Sequence, residues 1–337
     1  MSRTKKPFRV GMIGCGGISR AHAQGFRQLS DLFTVRAACD VNVEAANKCA
    51  ADLPSARVTT DWQEVLGDAE IDAVDILLPH DLHHPVAVAA AEAGKHILLE
   101  KPLATTVREG KGIVKAVERA GVACMVAFNE RHRWPVRTIK EIVESGRIGE
   151  VYLIRTDHNQ NPKFAPKQWY RSKAKSGGGA LIGSGIHMLD LLHWFGGEVR
   201  YVSAVTRHIP GRVDEEAAAC VVVQFADDRI GSLDISWAAP RHPWYQFLVV
   251  YGTKGTATTL GGDVTISSEA GVETVKTPVQ DSYADSFVRE IEYFGECLAG
   301  GKQPMTHPAD ALRSLEICMA AYRSAETHKM VRLPFKE

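Results

Sequence analysis

The sequence predicts an α/β protein with two domains: an N-terminal doubly wound parallel sheet, then an α+β domain with an open, mostly antiparallel sheet. Three observations support this fold class. The chain has 337 residues, more than one ordinary domain requires. Over about the first 130 residues, short apolar runs recur without alternation, which is typical of strands buried on both faces. Later strand-like segments alternate apolar and polar residues, as antiparallel strands do.

Composition and charge exclude several classes of protein. Lysine and arginine total 40, as do aspartate and glutamate, so no basic surplus for binding nucleic acid is present. No apolar stretch approaches the roughly 20 residues of a membrane span, and no apolar signal segment follows the basic N-terminus. The seven cysteines are scattered without a C-x-x-C pair, so we expect no disulfide framework or zinc knuckle, and a cytoplasmic location.

The N-terminal domain is predicted from alternating strands and helices. Strands are expected at 8–13, 35–39, 73–78, 96–99 and 123–128. Between the first two, 18–29 keeps the apolar spacing of a helix, and 86–93 does so more loosely. This alternation indicates a doubly wound domain. The parallel pattern stops near Asn129, so we place the domains at 1–128 and 129–337.

A glycine-rich turn directly follows the first strand. It comprises Gly14, Cys15, Gly16, Gly17 and Ile18, and Ser19 stands where such motifs often carry a third glycine. Gly14 permits a tight turn, and Gly16 lets backbone amides approach a pyrophosphate at the positive end of the next helix. The motif predicts a Rossmann-type dinucleotide-binding domain. The alternative is a glycine-rich turn that only reverses the chain.

The residue after the second strand bears on the choice of dinucleotide. Asp40 stands 26 residues after Gly14, close to the spacing of a ribose-binding acid. A carboxylate there would repel a 2′-phosphate, and residues 41–43 offer no Arg or Lys to compensate. This favours NAD over NADP as the cofactor, unless Asp40 is an ordinary helix cap, which leaves the preference open.

Pro79 and a set of polar residues follow the other parallel strands, at the sheet edge where open α/β sheets bind their ligands. They are Pro79, His80, Asp81, His83, His84, Glu100, Lys101, Asn129, Glu130 and Arg131. Lys101 follows a buried strand and precedes a proline. Burial would depress its pKa, and its ammonium could donate to a substrate oxygen beside a nicotinamide. A solvated surface lysine is the alternative.

The second half is predicted to form a sheet and two C-terminal helices. Strands are expected at 151–156, 201–206, 217–225, 231–237 and 247–251, and helices at 286–298 and 308–327. Within it, the triple glycine 177–179 precedes a helix that contains His187. Glycine disfavours a helix, so we interpret the triplet as backbone that passes close to a ligand. His187 would then accept a proton, since imidazole titrates near neutrality; a structural histidine is the alternative.

Together these motifs resemble the Gfo/Idh/MocA oxidoreductases. The resemblance rests on 11–18 with His22 behind it, the turn 79–84, the sequence Glu-Lys-Pro at 100–102 and 129–131, and it covers essentially the whole chain. It implies an NAD-dependent dehydrogenase that acts on a secondary alcohol of a sugar, sugar derivative or cyclitol. It also implies a homo-oligomer, a dimer or tetramer, formed through the C-terminal sheet.

The resemblance also implies roles for individual residues. Lys101 and His187 are the catalytic pair. The cofactor-binding residues are Gly14, Cys15, Gly16, Gly17, Ile18, Asp40, Pro79, His80, His83, Glu100, Lys101 and Asn129. The substrate-binding residues are Lys101, His158, Tyr170, Ser184 and His187.

At one position the sequence departs from this family. Relatives commonly carry an acid four residues before the histidine, where this chain has Gly183. Candidates to replace it are Ser184, His158, Asp157, Tyr170 and Arg171. Asp190, one turn after His187, either orients that histidine or stabilises its helix.

Two other features have alternatives. His80, His83 and His84 have the spacing of metal ligands, but no cluster of acids or cysteines accompanies them, so we expect no metal. The segment 237–244, rich in Trp and Pro, either lines a sugar pocket or marks a corner of the sheet.

Two other functions remain open at this point. A tightly held NAD could oxidise the substrate transiently and return the hydride after an elimination, which gives redox-neutral cleavage of a glycoside. A non-catalytic nucleotide-binding regulator could also retain this fold, a possibility raised by Gly183.

Overall fold

A computed structural model describes residues 6–165, 168–240, 247–277 and 282–335. Of the Trp- and Pro-rich segment 237–244, the part from Arg241 to Trp244 lies outside the described residues. Two compact units are present. The first unit comprises the residues up to Ala104, Arg108–Asn129 and Tyr283–Ala311, and the second comprises Thr105–Val107, Glu130–Ser282 and the residues from Leu312 onward.

The secondary structure runs as follows in chain order. The strands are β1 Phe8–Ile13, β2 Phe33–Cys39, β3 Arg57–Thr59, β4 Ala73–Ile76, β5 His96–Glu100, β6 Cys124–Ala127, β7 Val151–Asn159, β8 Val199–His208, β9 Glu216–Phe225, β10 Ile230–Ser236, β11 Leu248–Gly252, β12 Gly255–Leu260, β13 Asp263–Ser268, β14 Gly271–Val275 and β15 Val331–Arg332. The helices are α1 Ser19–Gln28, α2 Val43–Ala51, α3 Trp62–Gly67, α4 His83–Glu92, α5 Val107–Ala120, α6 Trp134–Glu144, α7 Lys173–Ser176, α8 Ile186–Gly196, α9 Tyr283–Gly300 and α10 Pro308–Thr327.

The first unit contains a parallel sheet in the order β3-β2-β1-β4-β5-β6, which confirms the predicted doubly wound domain. Every residue of β4 and of β6 is buried, including Asp75 in β4. The strand order reverses between β1 and β4, and ligands of such sheets bind at the carboxyl ends of strands at this point. The turn after β1 therefore lies at the expected ligand edge.

One helix of the first unit comes from the C-terminal part of the sequence. Helix α9 packs against α1, and a Cβ atom on Gly25 of α1 would lie 2.6 Å from Ile291 Cδ1 of α9. The rings of Phe33 and Phe294 stack with their centroids 6.3 Å apart. Apart from Thr105–Val107, the N-terminal part of the first unit extends to Asn129, and the boundary between 128 and 129 stays a prediction. The predicted assignment of all of 129–337 to one domain does not match, because Tyr283–Ala311 completes the apolar core of the first unit.

The second unit contains a mixed sheet in the order β14-β13-β12-β11-β7-β10-β9-β8-β15. Its strands pair antiparallel, except that β7 and β10 run parallel, which confirms the predicted open, mostly antiparallel sheet. Buried residues alternate along β7, and helix α8 packs over β7 and β10. The buried residues Ile154, Thr156 and His158 therefore lie on the face that α8 covers. No helix among the described residues is both long and apolar enough to cross a membrane.

Candidate functional site

The turn after β1 requires glycine at its first position. Gly14 has a φ of +102°, and a Cβ atom there would lie 2.3 Å from the carbonyl oxygen of Leu77. Its N–H donates to the Cys39 carbonyl at 2.8 Å, which continues the pairing of β1 with β2 into the turn. Any side chain at Gly14 would be strained and would also collide with the neighbouring strand end.

The next two glycines lie in open space. Nothing lies within 4 Å of the position that a Cβ atom would take on Gly16 or Gly17. Ser19 Oγ donates to the Gly16 carbonyl at 2.7 Å and so holds the turn. Among the described residues, no side chain caps the N-terminus of α1, which begins at Ser19. An accessible backbone beside uncapped helix N–H groups fits the pyrophosphate of a dinucleotide.

Asp40 follows β2 and supports this turn. Its Oδ2 accepts from the Cys15 N–H at 2.8 Å, and its Oδ1 accepts from the Asn42 N–H at 2.8 Å. The N-terminus of α2 is capped instead by Asn42, whose Oδ1 accepts from the N–H groups of Glu44 and Ala45. Asp40 is therefore not the cap of that helix. It fixes a carboxylate at the predicted ribose position, next to the glycine turn.

Glu100 and Lys101 follow each other at the carboxyl end of β5. Glu100 is buried, and its Oε2 accepts from the Lys101 N–H at 3.0 Å. Lys101 is half-buried. Burial lowers the pKa of the Lys101 ammonium below its usual value of 10.5, and the negative charge of Glu100 opposes this shift. The ammonium is thus poised to donate a hydrogen bond or a proton more readily than a surface lysine.

His83, predicted to contact the cofactor, joins two strand ends. Its Nδ1 lies 2.7 Å from the Pro102 carbonyl oxygen and its Nε2 lies 2.9 Å from the Leu78 carbonyl oxygen. Burial lowers the pKa of His83, although both carbonyls favour its protonated form. The ring thus connects the segment after β4 to the loop that carries Lys101. His80 is also buried, and its ring centroid lies 5.6 Å from that of His83.

Two other predicted cofactor residues lie in the same unit. Pro79 directly precedes the short 3-10 turn that contains His80. Asn129 is buried, and its Nδ2 donates to Ser286 Oγ of α9 at 2.8 Å. This hydrogen bond is within the protein, so direct contact of Asn129 with a cofactor stays a prediction.

In the second unit, the triple glycine packs against the protein's own side chains. A Cβ atom on Gly178 would lie 2.2 Å from Tyr322 Oη, and one on Gly179 would lie 1.9 Å from the Glu216 carbonyl oxygen. The Glu216 carboxylate accepts from the N–H groups of Gly179 and Leu181 at 3.1 and 2.8 Å. Tyr322 Oη donates to it at 2.9 Å. Internal packing therefore already excludes side chains at Gly178 and Gly179, and no ligand is required to explain these glycines.

His187 lies at the start of α8, directly after a π-helical turn at 181–185. It is 5% exposed. Glu216 holds the first residues of this helical stretch through their backbone, so the position of the His187 backbone is fixed from the preceding turn. π-Helical turns inside helices often occur at functional sites. The local geometry is consistent with the predicted role of His187.

A tryptophan side chain occupies the space beside Gly183. A Cβ atom on Gly183 would lie 2.3 and 2.4 Å from two ring atoms of Trp237. The Trp237 indole N–H donates to Ser184 Oγ at 2.9 Å. Trp237 is buried and belongs to an aromatic cluster with Phe164, Trp169 and Tyr170, whose neighbouring ring centroids lie 3.7 to 6.0 Å apart. An acidic side chain at position 183 would collide with this ring.

We expect Gly183→Ala to lower the free energy of unfolding by about 1–3 kcal/mol, because the new methyl group overpacks against Trp237. Urea unfolding followed by circular dichroism measures this change. Gly67→Ala is the matched control, since a Cβ atom there has nothing within 4 Å. Equal stability of the two variants would contradict the proposed packing.

The other candidates near the second sheet have partners of their own. His158 is buried, and its Nε2 lies 2.5 Å from Gln160 Nε2. Asp157 Oδ1 accepts from Asn159 Nδ2 at 2.5 Å. Arg171 donates to the Gly211 carbonyl at 3.5 Å. The structure therefore brings Ser184 and Tyr170 to Trp237, whereas Asp157 and Arg171 contact other residues.

Asp190 forms a buried ion pair. Arg131 donates to both of its carboxylate oxygens at 2.7 Å through Nε and Nη2, and Ser314 Oγ donates to Oδ1 at 3.1 Å. The side chains of Arg131 and Asp190 are 1% and 0% exposed. These contacts give the Asp190 carboxylate a structural role.

Sequence reasoning missed one set of buried charged residues. His22 and Asp75 are fully buried in the first unit and form an ion pair. One signal was available, because Asp75 interrupts the apolar residues of β4 in a strand that has no exposed face. A charged residue in such a strand needs a buried partner.

Comparison with known proteins agrees with this geometry. Residues 8–128 match a family described as an oxidoreductase family with an NAD-binding Rossmann fold, and residues 136–258 match the GFO/IDH/MocA C-terminal domain. Levoglucosan dehydrogenase of Pseudarthrobacter phenanthrenivorans is 31% identical over 74% of this chain and 72% of its own length. Myo-inositol 2-dehydrogenase of Thermotoga maritima is 26% identical over 97% of this chain and 98% of its own length.

A solved structure is similar over nearly the full length. Levoglucosan dehydrogenase in complex with NADH and levoglucosan matches with a TM-score of 0.92 and 28% identity, over 98% of this chain and all of that one (100%). These matches confirm the resemblance derived from the glycine turn and the Glu-Lys-Pro sequence, and they confirm NAD as the cofactor. The chain belongs to the GFO/IDH/MocA family of NAD-binding oxidoreductases.

Proposed function

We propose that the protein is a dehydrogenase that oxidises a secondary alcohol of a sugar, sugar derivative or cyclitol with NAD, or reduces the corresponding ketone. The observation that carries this proposal is Lys101. Its backbone is held by the buried Glu100 at the carboxyl end of β5, in the unit that carries the glycine turn. A lysine with a lowered pKa at this edge is suited to polarise a reacting oxygen.

Two side chains carry out the proton chemistry in this proposal. The Lys101 ammonium donates a hydrogen bond to the oxygen of the reacting alcohol and stabilises its developing negative charge. His187 accepts the hydroxyl proton, and in the reverse direction it returns that proton to the alkoxide. NAD, when bound, supplies the hydride acceptor.

The residues of the first unit would hold the cofactor. The accessible backbone at Gly16 and Gly17 and the N-terminus of α1 would bind the pyrophosphate. Asp40 would accept from the ribose hydroxyls while it keeps its bond to the Cys15 N–H. The candidates for contact with the nicotinamide end of the cofactor are Pro79, His80, His83, Glu100 and Asn129.

The substrate class follows from the second unit and the named relatives. The half-buried ring of Tyr170 offers an apolar face of the kind on which sugar rings pack, and Ser184 and His158 stay candidates for polar contacts with the substrate. The relatives named above act on levoglucosan or myo-inositol by their names, and both are uncharged polyhydroxy rings. We therefore propose an uncharged polyol as the substrate.

A substrate panel tests the function. Purified protein with NAD and, in turn, levoglucosan, myo-inositol, scyllo-inositol and common aldoses should release NADH, followed by absorbance, with at least one of them. The same panel with NADP should give a much lower rate, because Asp40 would face the 2′-phosphate. Conversion of a glycoside without net NADH would instead indicate redox-neutral cleavage. Tight NAD binding without turnover of any polyol would favour a regulator.

We further propose that the protein forms a homo-oligomer through the open face of its second sheet. On this face Val205 pairs with Cys220 and Ser203 pairs with Val222 in adjacent strands. Val205 and Val222 are 63% and 50% exposed, a patch that a second copy would cover. This exposed apolar patch, on two strands near one edge of the sheet, supports the proposal.

The proposed location is the cytoplasm. All seven cysteines lie within the described residues and are free thiols, and all but Cys220 are buried. Free thiols of this kind are typical of a reducing compartment.

A further inference from the structure

A buried chain of charged groups lies behind Lys101. His22 Nδ1 of α1 lies 3.1 Å from Oδ2 and 3.2 Å from Oδ1 of Asp75 in β4. On its other side, His22 Nε2 lies 3.3 Å from Glu100 Oε1 at the end of β5. The imidazole thus stands between two carboxylates, one on each ring nitrogen.

Glu100 connects this histidine to Lys101 through its two oxygens. Oε1 faces His22, whereas Oε2 accepts from the Lys101 N–H at 3.0 Å. His22 and Asp75 are 0% exposed and Glu100 is 7% exposed, so water contributes little to the solvation of these charges. A buried carboxylate is stable as an anion only where nearby cations and donors replace that water.

The charges of the four groups balance. Burial disfavours the charged form of His22, but the attraction of Asp75 and Glu100 outweighs it and raises the pKa of His22 well above its usual value. Burial also favours the neutral form of Glu100, yet the contact with His22 and the charge of Lys101 keep its pKa below the usual range. Burial raises the pKa of Asp75 despite the contact with His22. As cations, His22 and Lys101 would balance the negative charges of Asp75 and Glu100, which they lie next to in the structure or along the chain.

The other groups packed around this set do not replace His22. From α4, His83 is near Glu100, but its own pKa is lowered by burial, so it is neutral near pH 7. From α9, the uncharged ring of Phe287 lies 5.6 Å from the His22 ring. From α2, Cys49 is near Asp75. His22 is therefore the cation that separates the two carboxylates.

We propose that His22 is a positioning residue for the reaction: held between Asp75 and Glu100, it keeps Glu100 as an anion with one oxygen on the Lys101 backbone. Through Glu100, His22 fixes the position of the Lys101 backbone. It also sets the negative charge on Glu100 that acts on the Lys101 ammonium. This inference rests on the proposed role of Lys101. It goes beyond that role, because the reaction would also require a cation at His22, next to Glu100 in the first unit.

Removal of the cation should make the carboxylate pair bind a proton. In His22→Gln, the new side chain is neutral, so Asp75 and Glu100 are two buried anions without a cation between them. Because such pairs share a proton, the acid limb of the kcat/KM profile should move to higher pH by about 1–3 units. Infrared difference spectra of the apoprotein at pH 7 should show a protonated carboxyl band that the wild type lacks.

Two further variants distinguish charge from structure. Asp75→Asn keeps His22 with Glu100, so its acid limb should stay at or below that of the wild type. His22→Gln combined with Asp75→Asn leaves one buried carboxylate beside Lys101, and the acid limb should return most of the way to the wild-type position. This double variant also tests the inference if the single His22 variant does not fold, since it contains no unbalanced pair.

The infrared measurement separates this inference from the proposed function. A new carboxyl band in His22→Gln without oxidation of any polyol by the wild type would leave the inference standing and overturn the function. Polyol oxidation with an unchanged band and an unchanged acid limb in His22→Gln would overturn the inference. An acid limb that moves equally in His22→Gln and in the double variant would also overturn it, because charge balance would then play no part.

Discussion

Lys101→Met is expected to lower kcat for polyol oxidation by about 10²–10⁴, the contribution typical of a positioned acid or base. Methionine keeps the length and the apolar packing of the lysine stem but cannot donate to the reacting oxygen. In the wild type, activity should fall as pH rises through the Lys101 pKa, because deprotonation removes the ammonium. Burial places this alkaline limb below the usual lysine value of 10.5. Initial rates across pH measure both effects.

Lys95→Met is the matched control for this prediction. Lys95 is likewise a lysine of the first unit whose pKa is lowered by burial, but its Nζ donates to the carbonyl oxygens of Asp68 and Ile71 at 2.7 and 2.8 Å. Its loss should reduce stability and leave kcat near the wild-type value. NAD affinity, measured by fluorescence titration, should be retained in Lys95→Met. If Lys101→Met turns over at the wild-type rate, Lys101 has no role in the chemistry.

Arg131→Met is expected to lower the free energy of unfolding by about 3–5 kcal/mol, since it leaves the Asp190 carboxylate buried without its cation. The lost group makes two 2.7 Å hydrogen bonds to Asp190, and its guanidinium carbon lies 5.3 Å from the centroid of the Trp194 ring. Chemical denaturation of the purified variant gives this quantity. The free energy of unfolding of this variant should decrease further as pH rises, because Asp190 then loses its proton and its charge is buried without a cation.

Arg119→Met is the control for Arg131. Arg119 and Glu92 also form an ion pair, at 2.6 Å, but their side chains are 71% and 55% exposed. Exposed pairs contribute about 0–1 kcal/mol, so this variant should unfold almost as the wild type does. A similar small effect of Arg131→Met would show that the buried pair is not important for stability.

The features of the fold that the sequence predicted best are those with local signals. The apolar runs of β1, β4 and β6 have no exposed face, and their lack of alternation predicted a parallel sheet. Gly14 was predicted correctly as a tight turn, because a glycine directly after a buried strand indicates a sharp change in the direction of the chain. Strand β3 was missed, since three residues with one buried position carry no pattern.

Features that depend on distant parts of the chain could not be predicted. Gly178 and Gly179 make room for Tyr322 and the Glu216 backbone, which lie far away in sequence, so the glycines alone could not distinguish a ligand from internal packing. The same holds for Gly183, whose neighbour Trp237 comes from the segment after β10. His22 was noticed only as part of a motif, because its partners Asp75 and Glu100 meet it through tertiary packing.

The packing of α9 against α1 has a consequence for the order in which the chain folds during synthesis. Strands β1 to β6 leave the ribosome early, and N-terminal domains commonly fold before later parts are made. Here the apolar core of the first unit includes Ile291 and Phe294, which are synthesised more than 150 residues after β6 (291 minus 127). The surface of α1 around Gly25 must therefore stay uncovered until most of the protein exists, so the nucleotide-binding unit begins first but cannot be completed until α9 has been synthesised.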